Sequence, residues 1–168
     1  MVGKIAIITG PPGAGKTTIC QRLREAFPEA VYIDGDAVRR FAPADARAVL
    51  GGGSTYRAAG ALSRAYLEMG AELVLVDYVF RNPTDIARFT SQIHAETELS
   101  VFVVWTPLDV AIERAKQRGR QTSSDDVRRA WKELAEQRTK DFGRFVSNDT
   151  DAKEAARAIE HEIRSVCA

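Results

Sequence analysis

The segment GPPGAGKT at residues 10–17 constrains the fold of this chain more than any other part of the sequence. It satisfies the pattern G-x-x-x-x-G-K-[ST], in which glycines allow backbone N–H groups to turn inward around phosphate oxygens. The apolar run IAII precedes it and a helical pattern follows it, which is the strand–loop–helix setting that this mechanism requires. The pattern therefore predicts a site for the phosphates of ATP or of a close relative.

The residue types at the end of this segment have specific chemical uses. Lys16 places a positive charge beside the β- and γ-phosphates, and the Thr17 hydroxyl is a ligand for Mg²⁺. Thr18 is the next hydroxyl, and we expect it to reach the α-phosphate. ATP and Mg²⁺ are thus the expected cofactors. The predicted nucleotide-binding residues of this segment are Gly10, Pro12, Gly13, Ala14, Gly15, Lys16, Thr17 and Thr18.

Apolar runs of strand length alternate with longer helical patterns along the chain. Several of the runs are apolar without alternation, which is typical of parallel strands covered by helices on both faces. The sequence therefore predicts one three-layer α/β domain over residues 1–168. The predicted strands are 4–9, 30–34, 73–77, 99–106 and a short one at 145–146, and the predicted helices are 16–26, 54–69, 83–95, 108–117, 124–139 and 151–166.

The charge of the chain is nearly balanced, with 24 Lys and Arg against 23 Asp and Glu and a net charge of +1. This balance gives no support for a nucleic-acid partner or an anionic membrane. The first residues run directly into a strand-like segment and lack the features of a signal peptide, and no apolar run approaches the roughly 20 residues that span a bilayer. We expect a soluble cytoplasmic protein, and the sequence carries no signal for an oligomeric state.

Acidic residues follow two of the predicted strands. VYID ends at Asp34 and continues into Gly35 and Asp36. Because the carboxyl ends of parallel strands share one crevice, these carboxylates are expected to face the phosphate segment. Asp36 is the candidate general base or hydroxyl-orienting group, and Asp34 is the candidate outer ligand for a water on Mg²⁺. The alternative for either residue is a cap on the N-terminus of a following helix.

The phosphate segment GPPGAGKTT, followed by VYIDGDAVRR, resembles the small P-loop kinases. These include the gluconate kinase, shikimate kinase, adenylylsulfate kinase and chloramphenicol phosphotransferase families. The segment VVWTPLDVAIERAKQRGR is similar to their fourth strand, helix and lid. The resemblance implies a P-loop NTPase fold with a five-stranded parallel sheet of order 2-3-1-4-5. It also implies phosphoryl transfer from ATP to a hydroxyl group.

The resemblance also implies a lid near residues 118–124, in which arginines close over the phosphates. Arg114 and Arg118 match the lid-region arginines, and Arg120 is a third candidate. Guanidinium groups suit this task because the transferred phosphoryl group spreads negative charge over its oxygens. The alternative for each is an ordinary solvated charge. By the same resemblance, adenine is expected near the loop that contains Asn148.

Further residues are candidates for the acceptor site. Asp77 ends the strand LVLVD and resembles the acidic residue of a Walker B strand, where it would hold a Mg²⁺ water, meet the acceptor or stabilise a turn. The chain departs from shikimate kinases here, because YVFR at residues 78–81 replaces their Gly-rich loop. Arg81 is a candidate for binding an anionic part of the acceptor, and Arg39 and Arg57 are further candidates.

The resulting hypothesis is a phosphotransferase that moves the γ-phosphoryl group of ATP to a hydroxyl of a small molecule, such as a metabolite, a sugar acid or an antibiotic. A nucleoside or nucleotide kinase is an alternative, although no clear arginine cluster for an acceptor phosphate is assembled. A 5′-polynucleotide kinase is disfavoured by the balanced charge. A regulatory switch with slow hydrolysis belongs to another class, and the absence of a guanine-reading N-K-x-D element counts against it.

Overall fold

Five parallel strands form the central sheet of the protein. The computed structural model describes residues 3–117, 122–149 and 151–165. The strands are β1 (Lys4–Thr9), β2 (Val31–Asp34), β3 (Leu73–Asp77), β4 (Glu98–Trp105) and β5 (Arg144–Ser147). Their spatial order is β2-β3-β1-β4-β5, which confirms the predicted order 2-3-1-4-5 and the P-loop NTPase-like α/β fold.

Helices connect the strands and cover both faces of the sheet. They are α1 (Lys16–Ala26), α2 (Gly35–Phe41), α3 (Ala44–Leu50), α4 (Ser54–Glu68), α5 (Pro83–Thr90), α6 (Leu108–Gln117), α7 (Ser124–Ala135) and α8 (Ala152–Ser165). None of the helices in the described ranges combines the length and the apolar character needed to cross a membrane.

Two helices end earlier than the sequence pattern predicted, α5 at Thr90 and α7 at Ala135. Beyond each end the chain continues in tight turns. After α7, for example, the amide of Gln137 bonds to the carbonyl of Leu134 at 2.9 Å. A bond to the residue three positions back tightens the helix and ends its regular α-helical part.

The sequence pattern predicted no helix at α2 or α3. Helix α2 begins where it does because the Asp34 side chain accepts bonds from the first free amides of the helix. Helix α3 follows Pro43 and contributes no buried residue. Since burial of an apolar face is the signal that sequence periodicity detects, a short exposed helix escapes it.

Apolar side chains fill the space on both sides of the sheet. On one side, α1 and α8 pack against the sheet over buried residues that include Ile8 and Leu23. On the other side, α4, α5 and α7 enclose Val76, Phe89 and Leu134. Full burial of side chains of this size stabilises the fold by about 1.5–3 kcal/mol each. The two apolar layers confirm the predicted three-layer architecture.

Strands β1, β2 and β3 end at the same edge of the sheet. Asp34 of β2 pairs with Asp77 of β3, which in turn pairs with Ile8 of β1. The buried Thr9 hydroxyl donates to the carbonyl of Phe80 at 2.9 Å and accepts from its amide at 2.8 Å. The segment that follows β3 is therefore fixed against the end of β1, and the acidic residues lie at the edge from which the phosphate segment emerges.

Candidate phosphate and acceptor site

The phosphate loop, residues 10–17, needs glycine at positions where the backbone and the available space both exclude other residues. Gly13 has a φ of 84°, and a Cβ there would lie 2.0 Å from the carbonyl oxygen of Ala111 in α6. Gly10 has a φ of 149°, and its Cβ would lie 2.3 Å from the carbonyl oxygen of Val104. The left-handed backbone and the close approach to β4 and α6 explain these glycines together.

Lys16 lies across the phosphate loop. Its Nζ donates to the carbonyl of Gly10 at 3.0 Å and to that of Pro11 at 3.2 Å. Helix α1 begins at Lys16 with Gly15 in the left-handed conformation, and no side chain caps it. The positive end of the helix therefore lies at the phosphate loop, where it would stabilise an anion, and the Lys16 charge adds to it.

Asn148 and Arg114 join the loop after β5 to the phosphate loop. The buried side-chain amide of Asn148 donates to the carbonyl of Ala14 at 2.7 Å. The Arg114 guanidinium donates to the carbonyls of Asn148, at 3.0 Å, and Asp149, at 3.4 Å. In this structure both predicted side chains bind main-chain carbonyls, and they fix the loop expected to lie near adenine.

The predicted lid lies largely outside the described residues. Arg118 and Arg120 both belong to residues 118–121, which the structure does not describe. Thr122, the first described residue after them, lines the same cleft as Lys16 and Thr17. The end of the predicted lid thus reaches the phosphate loop.

Thr17 and Asp77 meet at the floor of the cleft. The Thr17 hydroxyl donates to Asp77 Oδ2 at 3.3 Å, and the Tyr32 hydroxyl donates to the same oxygen at 3.2 Å. Asp77 is only 7% exposed. Burial raises the pKa of its carboxyl group, while the Lys16 charge and the two hydroxyl bonds oppose that rise.

The oxygens of Thr17 and Asp77 suit Mg²⁺, which prefers hard oxygen ligands. A cation beside Asp77 would also relieve the cost of keeping that carboxylate ionised in a buried place. Among the described residues, no group of three or more His, Cys, Asp or Glu side chains forms a metal cage. This arrangement fits Mg²⁺ held by one or two protein groups together with substrate phosphates.

The two carboxylates of the Asp34-Gly35-Asp36 turn have different environments. Asp34 Oδ1 accepts from the amides of Asp36, at 2.8 Å, and Ala37, at 3.3 Å, and so caps α2. The helix cap that the sequence left open as an alternative is thus present. Both bonds use one oxygen of Asp34, and the residue still lines the cleft with Thr17 and Asp77. Asp36 is exposed in the first turn of α2 and lines the same cleft.

The three candidate acceptor arginines do not form one cluster. Arg57 donates to the carbonyls of Leu50, at 3.0 Å, and Gly52, at 3.1 Å, and thereby holds the glycine turn between α3 and α4. Arg81 forms a long ion pair of 3.8 Å with Glu133 of α7. Arg39 is exposed on α2.

Two tyrosines in the site were missed by the sequence analysis. Tyr32 bonds to Asp77, and its position two residues before Asp34 on one strand was a usable signal because such residues share a face. Tyr78 lines the cleft beside Asp36 and Asp77. Burial raises the pKa of its hydroxyl, and the charge of Arg39 is the largest opposing influence. No sequence signal distinguished Tyr78 from an ordinary core aromatic.

Comparison with solved structures shows which proteins share this fold. A gluconokinase from Sinorhizobium meliloti 1021 superposes with a TM-score of 0.71 at 18% identity, covering 98% of this chain and 93% of that one. A shikimate kinase from Acinetobacter baumannii, in complex with shikimate, gives a TM-score of 0.59 at 19% identity over 98% and 94% of the two chains. A chain of the Pnkp1/Rnl/Hen1 RNA repair complex gives 0.64 at 18% identity, covering 80% of this chain and 45% of that one.

Comparison of sequences gives one short match and one long match. A protein of Thermoplasma volcanium named "Putative adenylate kinase" is 75% identical over 24 residues, which are 14% of this chain and 16% of that protein. The family described as "AAA domain" matches residues 5–141, from β1 to the turns after α7. Since this match covers most of the chain and includes the phosphate loop, the protein belongs to the AAA domain family of P-loop proteins.

Proposed function

We propose that this protein is an ATP-dependent phosphotransferase that moves the γ-phosphoryl group to a hydroxyl group of a small molecule. The observation that carries the proposal is that two sets of functional groups line one cleft. The phosphate loop brings Lys16 and Thr17, and the ends of β2 and β3 bring carboxylates, Asp36 among them. A nucleotide-binding module needs the phosphate loop and the carboxylates beside its Mg²⁺, whereas transfer to a hydroxyl also needs a group that positions the acceptor, the role proposed for Asp36.

On the donor side, the loop amides and Lys16 would bind the β- and γ-phosphates, and Thr18 the α-phosphate. Thr17 and Asp77 would hold Mg²⁺, with Asp34 next to them bonding to a water of the ion. Bound Mg²⁺ neutralises charge that develops on the phosphate oxygens. The positive end of the α1 dipole would stabilise the same negative charge on the phosphate oxygens.

On the acceptor side, Asp36 would accept the proton of the acceptor hydroxyl or orient that hydroxyl. Asp36 is exposed and lines the cleft, where an acceptor can approach it. A carboxylate within hydrogen-bond reach of the attacking oxygen is the arrangement that general base catalysis requires. Arg39 and Arg81 are proposed to bind an anionic part of the acceptor.

Arginines of the lid complete the proposed machinery. Arg118 would contact the γ-phosphate, where its delocalised charge matches the spread of negative charge in the transition state. Arg114 and Asn148 would hold the adenine loop in place through the main-chain bonds described above.

A nucleoside or nucleotide kinase is the second candidate. It is favoured by the short match to the Thermoplasma volcanium protein, whose name concerns adenylate. The charges of Arg39 and Arg81 also both act on Tyr78 at the acceptor side of the cleft, where a nucleotide phosphate would require them.

The test is a transfer assay with purified protein, Mg²⁺ and γ-labelled ATP. The acceptor panels contain sugars, polyol acids, antibiotics, nucleosides, nucleoside monophosphates and 5′-hydroxyl oligonucleotides. Labelling of a hydroxylated small molecule supports the proposal, and labelling confined to nucleosides or nucleotides supports the second candidate. If no acceptor is labelled above the rate of water hydrolysis, the proposal fails and the result favours the nucleotide-binding switch.

Asp36→Asn tests the acceptor role directly. Loss of the proton-accepting group is expected to lower kcat by about 10²–10⁴-fold. Asp45→Asn is the matched control, because Asp45 is also an exposed carboxylate in the first turn of a short helix. If Asp36→Asn transfers the phosphoryl group at the rate of Asp45→Asn, the general-base assignment is wrong.

A further inference from the structure

Gly35, between the two carboxylates of the Asp34-Gly35-Asp36 turn, has no conformational reason to be glycine. It is the first residue of α2, and it is absent from the positive-φ glycines of the described chain. Its environment supplies the reason. A Cβ on Gly35 would lie 2.4 Å from Cγ of Tyr78 and 2.5 Å from both Cβ and Cδ2 of Tyr78. The aromatic ring of Tyr78 therefore rests directly on the backbone of this turn.

Contacts on its other sides hold the Tyr78 ring in place. The Tyr56 ring meets it edge-on with centroids 5.4 Å apart, and the Phe80 ring does so at 6.2 Å. The Tyr56 hydroxyl in turn donates to the carbonyl of Val79 at 3.0 Å. Aromatic pairs of this geometry add to the stability of packing beyond the area they bury. The ring of Tyr78 is thus held in one position by packing.

We propose that Tyr78 is a positioning residue for Asp36, acting through the ring contact with Gly35. Asp36 is the residue after Gly35, in the first turn of α2, and the Asp34 side chain caps this helix. Tyr78 follows Asp77 directly, so its ring is anchored to the end of β3, the strand that carries the buried carboxylate of the phosphate site. A displacement of the ring would move the first turn of α2, and with it the carboxylate that faces the acceptor.

The proposal rests on the proposed function, because the position of Asp36 affects a rate only if Asp36 acts on an acceptor. A misplacement on the order of 1 Å can cost about 10²-fold in rate when a reacting group must be aligned. The expected signature is a loss in kcat for the acceptor reaction while the KM for ATP stays unchanged, since Lys16 and Thr17 lie on a separate, independently fixed loop.

The first experiment needs no acceptor. Amide hydrogen exchange measured by NMR reports the bonds from the Asp36 and Ala37 amides to Asp34 Oδ1. Tyr78→Leu removes the ring and is expected to accelerate exchange at these two amides by about tenfold or more, whereas Tyr78→Phe keeps the ring and is expected to change it by less than about threefold. Gly35→Ala, which pushes the ring away, is expected to resemble Tyr78→Leu.

Phe27→Leu is the control for a general loss of stability, because Phe27 is a half-buried aromatic at the end of α1, at the opposite end of the sheet. It is expected to leave exchange at Asp36 and Ala37 within about threefold of the unaltered protein. If Tyr78→Leu also leaves it within threefold, or if Phe27→Leu accelerates it equally, the positioning role is refuted.

The second experiment is a double-mutant comparison with the acceptor identified by the transfer assay. As a single substitution, Tyr78→Leu is expected to lower kcat by about tenfold. Added to Asp36→Asn, it is expected to lower kcat no further. If the fold-loss in kcat of the double mutant equals the product of the two single losses, the proposal is overturned. If the unaltered protein labels no acceptor, the proposed function fails, and the exchange experiment still decides whether Tyr78 positions Asp36.

Discussion

The donor side and the acceptor side of the cleft are held in different ways. The donor side is the phosphate loop with Arg114 and Asn148, and the acceptor side is α2 and α3. On the donor side, Asn148 bonds to Ala14 across 134 residues of chain through a buried contact. On the acceptor side, Val49 is 88% exposed and α3 contributes no buried residue.

The bonds of the acceptor side are local in the chain. Arg47 donates to the carbonyl of Ala42, five residues away, and Arg57 donates to that of Leu50, seven residues away. Local bonds fix a turn but do not fix where a helix lies relative to the rest of the fold. We infer that the donor side is preorganised, whereas α3 and the glycine turn of the acceptor side have less support from the core.

The largest expected effect concerns the charge of the donor side. Lys16→Ala removes the cation that lies over the loop carbonyls, and we expect kcat to fall by at least about 10²–10³-fold. Rates of transfer from γ-labelled ATP measure this loss. Lys140→Ala, which removes an exposed lysine from the turns after α7, is the control. A loss of less than tenfold in Lys16→Ala would show that the donor side works without this charge.

The next prediction compares how much a glycine-to-alanine substitution on each side of the cleft lowers the free energy of unfolding. Gly13→Ala places a methyl group against the Ala111 carbonyl at a φ of 84°, so we expect it to lower the free energy of unfolding by about 3 kcal/mol or more. Gly52→Ala on the acceptor side meets no atom within 4 Å, and it should change stability by less than about 1 kcal/mol. Urea unfolding measures both. Equal losses would contradict the difference in packing between the two sides.

A smaller effect compares long-range and local hydrogen bonds. Asn148→Ala leaves the buried carbonyl of Ala14 without its side-chain partner, which should lower the free energy of unfolding by about 1–3 kcal/mol. Arg57→Ala removes exposed local bonds and should change it by about 0.5 kcal/mol or less. The same urea series reports both variants. If Arg57→Ala costs as much as Asn148→Ala, the acceptor side is not the weaker one.

The smallest expected effect is a dependence of stability on pH at Asp77. Burial raises the pKa of this carboxyl in the folded state above its ordinary value of 3.8. The folded state therefore holds more protons than the unfolded state between the two values, and the free energy of unfolding falls as pH rises through that window. Asp77→Asn lacks this fall and should be the more stable protein at neutral pH.

Urea unfolding at several pH values from 3 to 8 measures the difference between Asp77→Asn and the unaltered protein. The difference should grow with rising pH and then become constant above the raised pKa of the folded state. A difference that is independent of pH would show that burial does not raise the pKa of the Asp77 carboxyl group. A gain in the stability of the protein when Asp77 loses its charge is expected if the buried charge is kept for binding at the expense of stability.

The agreement between sequence and structure follows the same division between the two sides. Strands β1 and β3 and helix α1 were predicted because apolar runs and the phosphate-loop pattern are local signals tied to burial. The sheet order was implied by the resemblance to the small P-loop kinases. The rule that parallel strands end at one edge predicted that the carboxylates of Asp34 and Asp36 face the phosphate segment, and both residues line the cleft with Thr17. Helices α2 and α3 were missed because they bury too little apolar surface to produce a periodic pattern.

The side-chain contacts of individual arginines could not be predicted. Arg57 holds a glycine turn, and Arg114 holds the loop after β5, although both were expected to contact substrate or phosphates. A guanidinium group carries several donors on a long side chain, so its partners depend on which carbonyls the fold brings within reach. Tyr32 and Tyr78 belong to the site through neighbours in other elements, Asp77 of β3 for Tyr32 and Gly35 of α2 for Tyr78.

The sequence by itself determined the strand–loop–helix unit that binds phosphate, the α/β class and the residues that carry charge in the cleft. These depend on local backbone freedom, on burial patterns and on the chemistry of Lys16, Thr17 and the aspartates. Only the tertiary structure decided that Asp34 caps α2, that Asp77 is buried beside Tyr32, and that Tyr78 rests on Gly35. The last two contacts join residues distant in the chain, and packing of the whole fold sets their distances. The cap is local, and the structure was needed only to show that a helix begins at that point.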